Sequence, residues 1–222
     1  MSQSGLLPNR FLFRYSLPVQ YERKLPRAGK KLLDLPAEFA LADFGALDQV
    51  GPFGELRLAW NERGLGISVT VEGKQRPPQG NPQSPETSDG LRLFIDTRNT
   101  QNIHRASRYC RQIFLMPASN GSATADPCAV LAPILRAREE APRANAAEIR
   151  MSSVVSKTGY RLEAWLPATV LHGYDPDAQP RLGFYYALRD AELGEQFLSV
   201  GHDFPFAIDP SLWSTLELVG PS

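Results

Sequence analysis

What most narrows the fold of this chain is a two-residue hydrophobic period that recurs in segment after segment. Leu56, Leu58 and Trp60 share one face, with Glu55, Arg57 and Ala59 on the other. After a turn at Asn61 to Gly64, Leu65, Ile67, Val69 and Val71 alternate with Gly66, Ser68, Thr70 and Glu72. Successive side chains of a strand point to opposite faces, so this pattern predicts a β-hairpin with one wet face. The same period marks Leu91, Leu93 and Ile95, opposed by Arg92, Phe94 and Asp96, and then Ile113 and Leu115, opposed by Gln112, Phe114 and Met116. It returns at Tyr160, Leu162, Ala164 and Leu166, which pair with 149–156 as a second hairpin around Lys157-Thr158-Gly159. It appears again at Leu182, Phe184, Tyr186 and Leu188, with a short run at 196–200 and a last strand at 214–219.

The first strand is expected at Phe11, Phe13, Tyr15 and Leu17, and Pro18, Pro26 and Pro36 then break regular structure through a basic stretch (Arg23, Lys24, Arg27, Lys30, Lys31). Residues 74–86 (KQRPPQGNPQSPE) read as an exposed Pro-rich loop without core residues, and 118–127 as another loop. Residues 128–141 leave a short helix open, because Pro133 interrupts an otherwise compatible run. Pro167 followed by Ala-Thr-Val-Leu predicts one helical turn ending near Gly173. Nine or ten strands that each bury one face need a second sheet to bury it against. The expected fold is therefore all-β: a single antiparallel β-sandwich, jelly-roll-like, with long loops and one or two short helices. No repeat or linker divides residues 1–222, in which 1–32 form the N-terminal strand and connection.

Composition removes several function classes. Lys plus Arg and Asp plus Glu are 24 each, so no net field draws the chain to nucleic acid or an acidic membrane surface. No apolar run approaches the roughly 18 residues of a membrane helix. The start lacks a basic, then apolar, leader, which points to a cytoplasmic location; a chain trimmed of its leader would read the same. Cys110 and Cys128 have no CxxC spacing; two separate thiols or one bridge both fit them. No nucleophile elbow, P-loop, GxGxxG or HExxH is present, so no enzyme is expected.

Five segments, in order, resemble family-nine carbohydrate-binding modules: LRLAWNERGLGISVTV, DGLRLFIDTRN, GYRLEAWLPATVL, RLGFYYALRDAE and DPSLWSTLELV. The resemblance runs over residues 33–219 and extends to the wider DOMON-like group of β-sandwiches, which includes sugar-binding and haem-binding members. It implies a non-catalytic ligand-binding domain whose relatives hold a terminal sugar between two tryptophans. The corresponding places here, at 85–87 and near Gly201, carry no tryptophan. The family's acidic position on the FID strand corresponds to Arg92, its Arg and Asn on the next strand to Phe114 and Met116, and its late Gln to Ala187. The scaffold carries over; the sugar contacts do not. Trp60, Trp165 and Trp213 fall in framework segments, where packing explains them better than sugar stacking.

The candidate ligand site is the sheet face bearing Arg92, Phe114, Met116 and Tyr185, rimmed by Arg98, His104, Arg105, Tyr109 and His202. No acidic residue lies between Asp96 and Asp126, and guanidinium forks recognise carboxylates, phosphates and sugar hydroxyls. The expected ligand is a saccharide or related polyol or acid, including an anionic small molecule. The structural alternative is that Arg98 and Arg105 pair with Asp96, Asp190 or Asp203 to fix a long loop. Asp96 is expected to cap the turn after its strand. No cofactor is expected; structural calcium at Asp190 and Glu192, and, through the resemblance, haem between Met116 and His202, are the alternatives. A second function class is a structural or protein-interaction domain using exposed aromatics of the same face.

Overall fold

The structure, a computed structural model, describes residues 9–28, 31–48, 51–119 and 126–220. Lys30 of the basic stretch and most of the 118–127 loop lie outside these residues. Eleven strands make up the described chain: β1 (Ser16–Tyr21), β2 (Gly54–Asn61), β3 (Gly64–Glu72), β4 (Gly90–Asp96), β5 (Cys110–Met116), β6 (Cys128–Ala132), β7 (Arg150–Val155), β8 (Gly159–Pro167), β9 (Arg181–Asp190), β10 (Gly194–Phe197) and β11 (Ser214–Val219). They run in the order β6-β5-β4-β9-β11-β1-β2-β3-β8-β7, with β10 hydrogen-bonded to β9. The fold is an all-β sandwich. One core joins the inward rows of both halves: Leu56, Leu58, Ile67, Val69 and Leu162 on one side, Leu91, Leu93, Ile113, Phe184 and Leu188 on the other. Neighbouring strands are antiparallel except β1, which runs parallel to both β11 and β2 and closes one edge of the sandwich.

The first strand lies further along the chain than its alternation suggests. Residues Asn9–Leu12 form a 3-10 turn, and β1 buries Leu17 and Val19 in place of Phe11 and Phe13, which stay exposed. Phe11 instead stacks on Phe204, with centroids 4.4 Å apart. Pro18 is tolerated inside β1 because pairing to β2 begins only at Gln20, so its missing N–H falls where the strand is paired on one side.

The expected wet face of the β2–β3 hairpin is covered at its Ala59–Gly66 end, while Glu55 and Glu72 at the other end stay exposed. Leu25, Leu32, Leu33 and Leu35 lie over Ala59 and Trp165 as a second, smaller apolar cluster, each leucine at most 3% exposed. Burial of such side chains contributes roughly 1.5–3 kcal/mol each. The strap is latched by Glu163, whose carboxylate accepts from the backbone N–H of Leu33 and of Asp34, both at 3.1 Å, and from Arg161 at 2.7 Å. The β4 strand is likewise buried on both faces, with Phe94 as sealed as Leu93.

Of three further segments, one left open is decided, one holds and one changes. Residues 128–132 are an edge strand, not a helix; β6 pairs with β5 and stops at Pro133. The Pro167 segment forms successive hydrogen-bonded turns (Val170 to Pro167, Leu171 to Ala168) that end at Gly173, whose φ of +79° suits glycine. The helical segments among the described residues are short 3-10 turns. The 74–86 loop does contribute to the interior: Lys74, Pro78 and Gly80 are buried in it. Asp96 caps its turn as expected, accepting from Arg98 N at 2.9 Å and Thr100 N at 2.7 Å. Cys110 is buried and Cys128 half-buried, both as free thiols, and burial pushes the Cys110 thiol up to about 12.

Candidate functional site

Register decides which side chains share the outer face of the β5-β4-β9 sheet. Arg92 stands opposite Phe114 on β5 and Ala187 on β9, and Met116 and Tyr185 lie two residues along on the same face. Phe114 is large and Ala187 small, so the space beside Arg92 opens over Ala187. A cavity of about 160 Å³ forms there, with Arg92, Phe114, Met116 and Ala187 below and Glu86, Glu195, His202 and Phe206 around it. Gly90 starts β4 at φ +134°, and a Cβ there would lie 2.2 Å from the Leu115 carbonyl oxygen. Only glycine lets the end of β4 approach β5 so closely beside the cavity.

Arg92 is the chemical centre of this cavity. Its guanidinium carbon lies 4.9 Å from the centroid of Phe94 and 5.2 Å from that of Phe114. Its Nε is buried without a hydrogen-bond partner. Burial lowers its pKa, opposed by the field of Glu86. Tyr185 lies beneath: it is fully buried, its hydroxyl donates to the Val200 carbonyl, and its ring stacks on Phe206 at 4.6 Å. Burial holds that hydroxyl well above the usual tyrosine range. On the rim, exposed His202 bonds Glu195 through Nε2 at 2.8 Å and leans its ring on Phe197.

The candidate residues fall at opposite ends of the β4–β5 hairpin. Arg92, Phe114, Met116 and His202 line the cavity at the Gly90–Met116 end, with Tyr185 packed below. The basic loop leaves from the Asp96–Cys110 end, roughly 20 Å away along the strands. There exposed Arg98 lies 4.6 Å over Tyr109, which stacks on His172 at 5.2 Å. Arg105 donates to the carbonyls of Arg136 at 2.8 Å and Ala137 at 3.3 Å, and Arg111 to that of Pro142 at 2.7 Å. The loop is thus tied to the 134–143 segment; among the described residues the side chains of Arg98 and Arg105 do not pair with Asp96, Asp190 or Asp203, and the Asp96 carboxylate holds the loop only through the backbone N–H of Arg98 and Thr100.

His104 bonds Asp209 Oδ2 at 3.0 Å and Ser211 Oγ at 3.2 Å through the same Nδ1, while Ser211 donates to Asp209 Oδ1 at 2.6 Å. A Ser-His-Asp nucleophile needs serine and aspartate on different ring nitrogens, so this trio is not one.

Two features escaped sequence reasoning. Glu86, Glu195 and Phe206 complete the cavity; the position of Glu86 was legible as the 85–87 rim, but only for its missing aromatic. The second is a buried ion cluster beside the cavity. Lys74 Nζ lies 3.4 Å from Asp89 Oδ2 and bonds Asp190 Oδ2, with all three side chains at most 2% exposed. Asp190 Oδ1 also accepts from the backbone N–H of Glu192 and Leu193, and the Glu192 carboxylate accepts from Gln75 N and Arg76 N. The oxygens considered for calcium are therefore engaged by protein donors, and they do not fit that ion. A haem does not fit either: Met116 and His202 do border one cavity, but its volume is well under the roughly 300 Å³ of the smallest drug-sized pockets.

No protein-family model matches the chain, and no curated protein matches it. Solved structures do. A family 9 carbohydrate-binding module from Caldicellulosiruptor kristjanssonii in complex with cellotriose superposes with a TM-score of 0.60 at 12% identity, over 94% of this chain and 95% of that one. The same organism's family 9 module in complex with glucose gives 0.59 at 12% identity, over 94% and 97%. A carbohydrate-binding candidate from Bacteroides uniformis gives 0.58 at 14% identity, over 93% and 100%. At these identities the likeness is one of fold.

Proposed function

We propose that this chain is a non-catalytic saccharide-binding domain, and that the sugar enters the Arg92 cavity. The observation that carries this is the cavity itself: a concavity with an apolar floor and a few convergent polar groups on the sheet face, the form that small-ligand sites take. The structural neighbours bound to cellotriose and glucose support the ligand class. Binding here differs from a two-tryptophan clamp. Trp60, Trp165 and Trp213 are all buried, so none presents a free ring face. Arg92 and Glu86 would hydrogen-bond the sugar, and His202 would close the rim. A cavity of this size takes one terminal residue of a chain, not its middle. The aromatic side chains of this face, Phe94, Phe114 and Tyr185, are buried, so they offer little apolar surface to a protein partner.

The test is a glycan array with the whole chain, repeated with the rim variant Glu86→Ala/His202→Ala. Both side chains are exposed, so the melting temperature should hold while saccharide binding is lost. No saccharide bound at millimolar concentration, or undiminished binding by the rim variant, would refute the assignment.

A further inference from the structure

Resting on the saccharide reading of this cavity, we infer that its ligand is an acidic sugar, whose carboxylate pairs with the guanidinium of Arg92. The argument starts from how the other arginines that are partly withdrawn from solvent are satisfied. Arg57 pairs with Glu55 and donates to the Leu35 carbonyl, Arg161 pairs with Glu163, Arg111 donates to Pro142 and Arg189 to Thr87. The Nε atoms of Arg111 and Arg161 are sealed as that of Arg92 is, but their guanidiniums bond through another nitrogen; Arg92 alone in this group has no acceptor for any nitrogen of its guanidinium among the described residues.

Withdrawing a cation from water without a counter-charge is unfavourable, and proteins normally supply the partner. Here the partner is missing on the side that faces the cavity. Glu86 is the acid whose field reaches Arg92, but it stands on the exposed rim and makes no ion pair with it. The other acids are already taken: Asp89 by Lys74, and Glu195 by His202. The rings of Phe94 and Phe114 hold the planar guanidinium and leave it short of water. A planar carboxylate meets such a fork with two parallel bonds, which a single hydroxyl cannot do. The remaining hydroxyls of the sugar then face Glu86 and His202.

Calorimetry on the whole chain tests this with two β-1,4-linked disaccharides that differ only in the terminal residue, one ending in glucuronic acid and one in glucose. The acidic sugar should bind about 10- to 100-fold more tightly, the range for a charge-assisted hydrogen bond in a partly buried site. Arg92→Gln should remove the preference, bringing the affinities for the two sugars within about twofold of each other. Arg92→Lys, which keeps charge but loses the fork, should retain only part of it. Melting curves confirm that each variant is folded. Neutral sugar bound as well as or better than acidic sugar overturns the acidic assignment while the saccharide reading stands. A preference that survives Arg92→Gln overturns the role of Arg92. Neither sugar bound by the folded chain, with no glycan captured on the array, overturns both.

Discussion

Replacing Lys74 by methionine should destabilise the protein by about 3 kcal/mol, near the low end of the roughly 3–5 kcal/mol for breaking a buried ion pair. The side chain is 2% exposed and its ammonium serves two carboxylates, Asp89 at 3.4 Å and Asp190 closer still. Methionine keeps the length of the stem and removes the charge, leaving two buried acids without a cation. The loss stays at the low end because backbone amides share the load. Asp89 accepts from Gln79 N at 2.9 Å and Ala191 N at 2.7 Å, and Asp190 from Glu192 N at 2.9 Å and Leu193 N at 3.1 Å. For a chain of this size 1 kcal/mol moves the melting temperature by roughly 2–4 °C, so the expected fall is about 6–12 °C. Guanidinium unfolding gives the free energy directly. Asp190→Asn removes one of the stranded charges, so Lys74→Met/Asp190→Asn should lose less than the two single changes added together. A loss under about 1 kcal/mol for Lys74→Met, or strict additivity of the pair, would refute the shared-cation account.

Glu163→Ala should unlatch the strap at Leu33 and Asp34, costing about 1–3 kcal/mol for the buried donors it abandons. Hydrogen exchange should rise there first, at Leu33 and Asp34, ahead of the β3 and β8 amides. Alkaline pH should unfold the chain through its buried tyrosines. Burial raises the pKa values of Tyr160, Tyr185 and Tyr186, the last to about 12, so their stabilising contribution is intact below the unfolded value near 10 and is lost as pH climbs from there through the folded values. Circular dichroism should therefore be lost together with the last part of the tyrosinate absorbance rise, above about pH 10; all seven tyrosines ionised in a chain that keeps its full circular dichroism would contradict this. Arg98→Ala and Arg105→Ala should each cost less than about 1 kcal/mol and leave saccharide binding unchanged, read by melting and calorimetry, because both lie at the far end of the hairpin from the cavity.

Much of the sandwich is legible from parity alone. The alternation of β2, β3, β9 and β11 places their core rows, because a one-residue slip would carry every side chain of a row to the other face. Parity fails where both faces are dry. Nothing local announces that Leu25, Leu32, Leu33 and Leu35 will fold back over Ala59 and Trp165, since that cover depends on a carboxylate at Glu163 more than a hundred residues away. It fails again at β1, where Phe11 and Phe13 alternate as convincingly as Leu17 and Val19. What separates the two pairs is the edge of β11, which the sequence does not display at that point. Lys74 is hidden for the same reason: in a run of prolines and polar residues a lysine reads as solvated, and only the meeting of Asp89 and Asp190 draws it inside.

The candidate site divides along the same line. Parity put Arg92, Phe114, Met116 and Tyr185 on one face, and the register of β4 with β5 and β9 keeps them together. Parity cannot say which end of that face is open, because the loops leaving a hairpin at its two ends are equally polar in sequence. The choice is made by the segment that follows β10. Phe206 and Trp213 from that segment pack on Phe94 and Tyr185 and seal the middle of the face, with Phe94 5.4 Å from Trp213 and 6.1 Å from Phe206. Once the middle is sealed, the charge-dense loop from Arg98 to Arg111 is cut off from the cavity and turns to the 134–143 carbonyls for its hydrogen bonds. The open end is left to Arg92, whose guanidinium lies over the rings of Phe94 and Phe114 and has no acceptor among the described residues. A sequence rich in arginine at one place thus leaves a guanidinium without an acceptor at another, at Arg92 among the described residues.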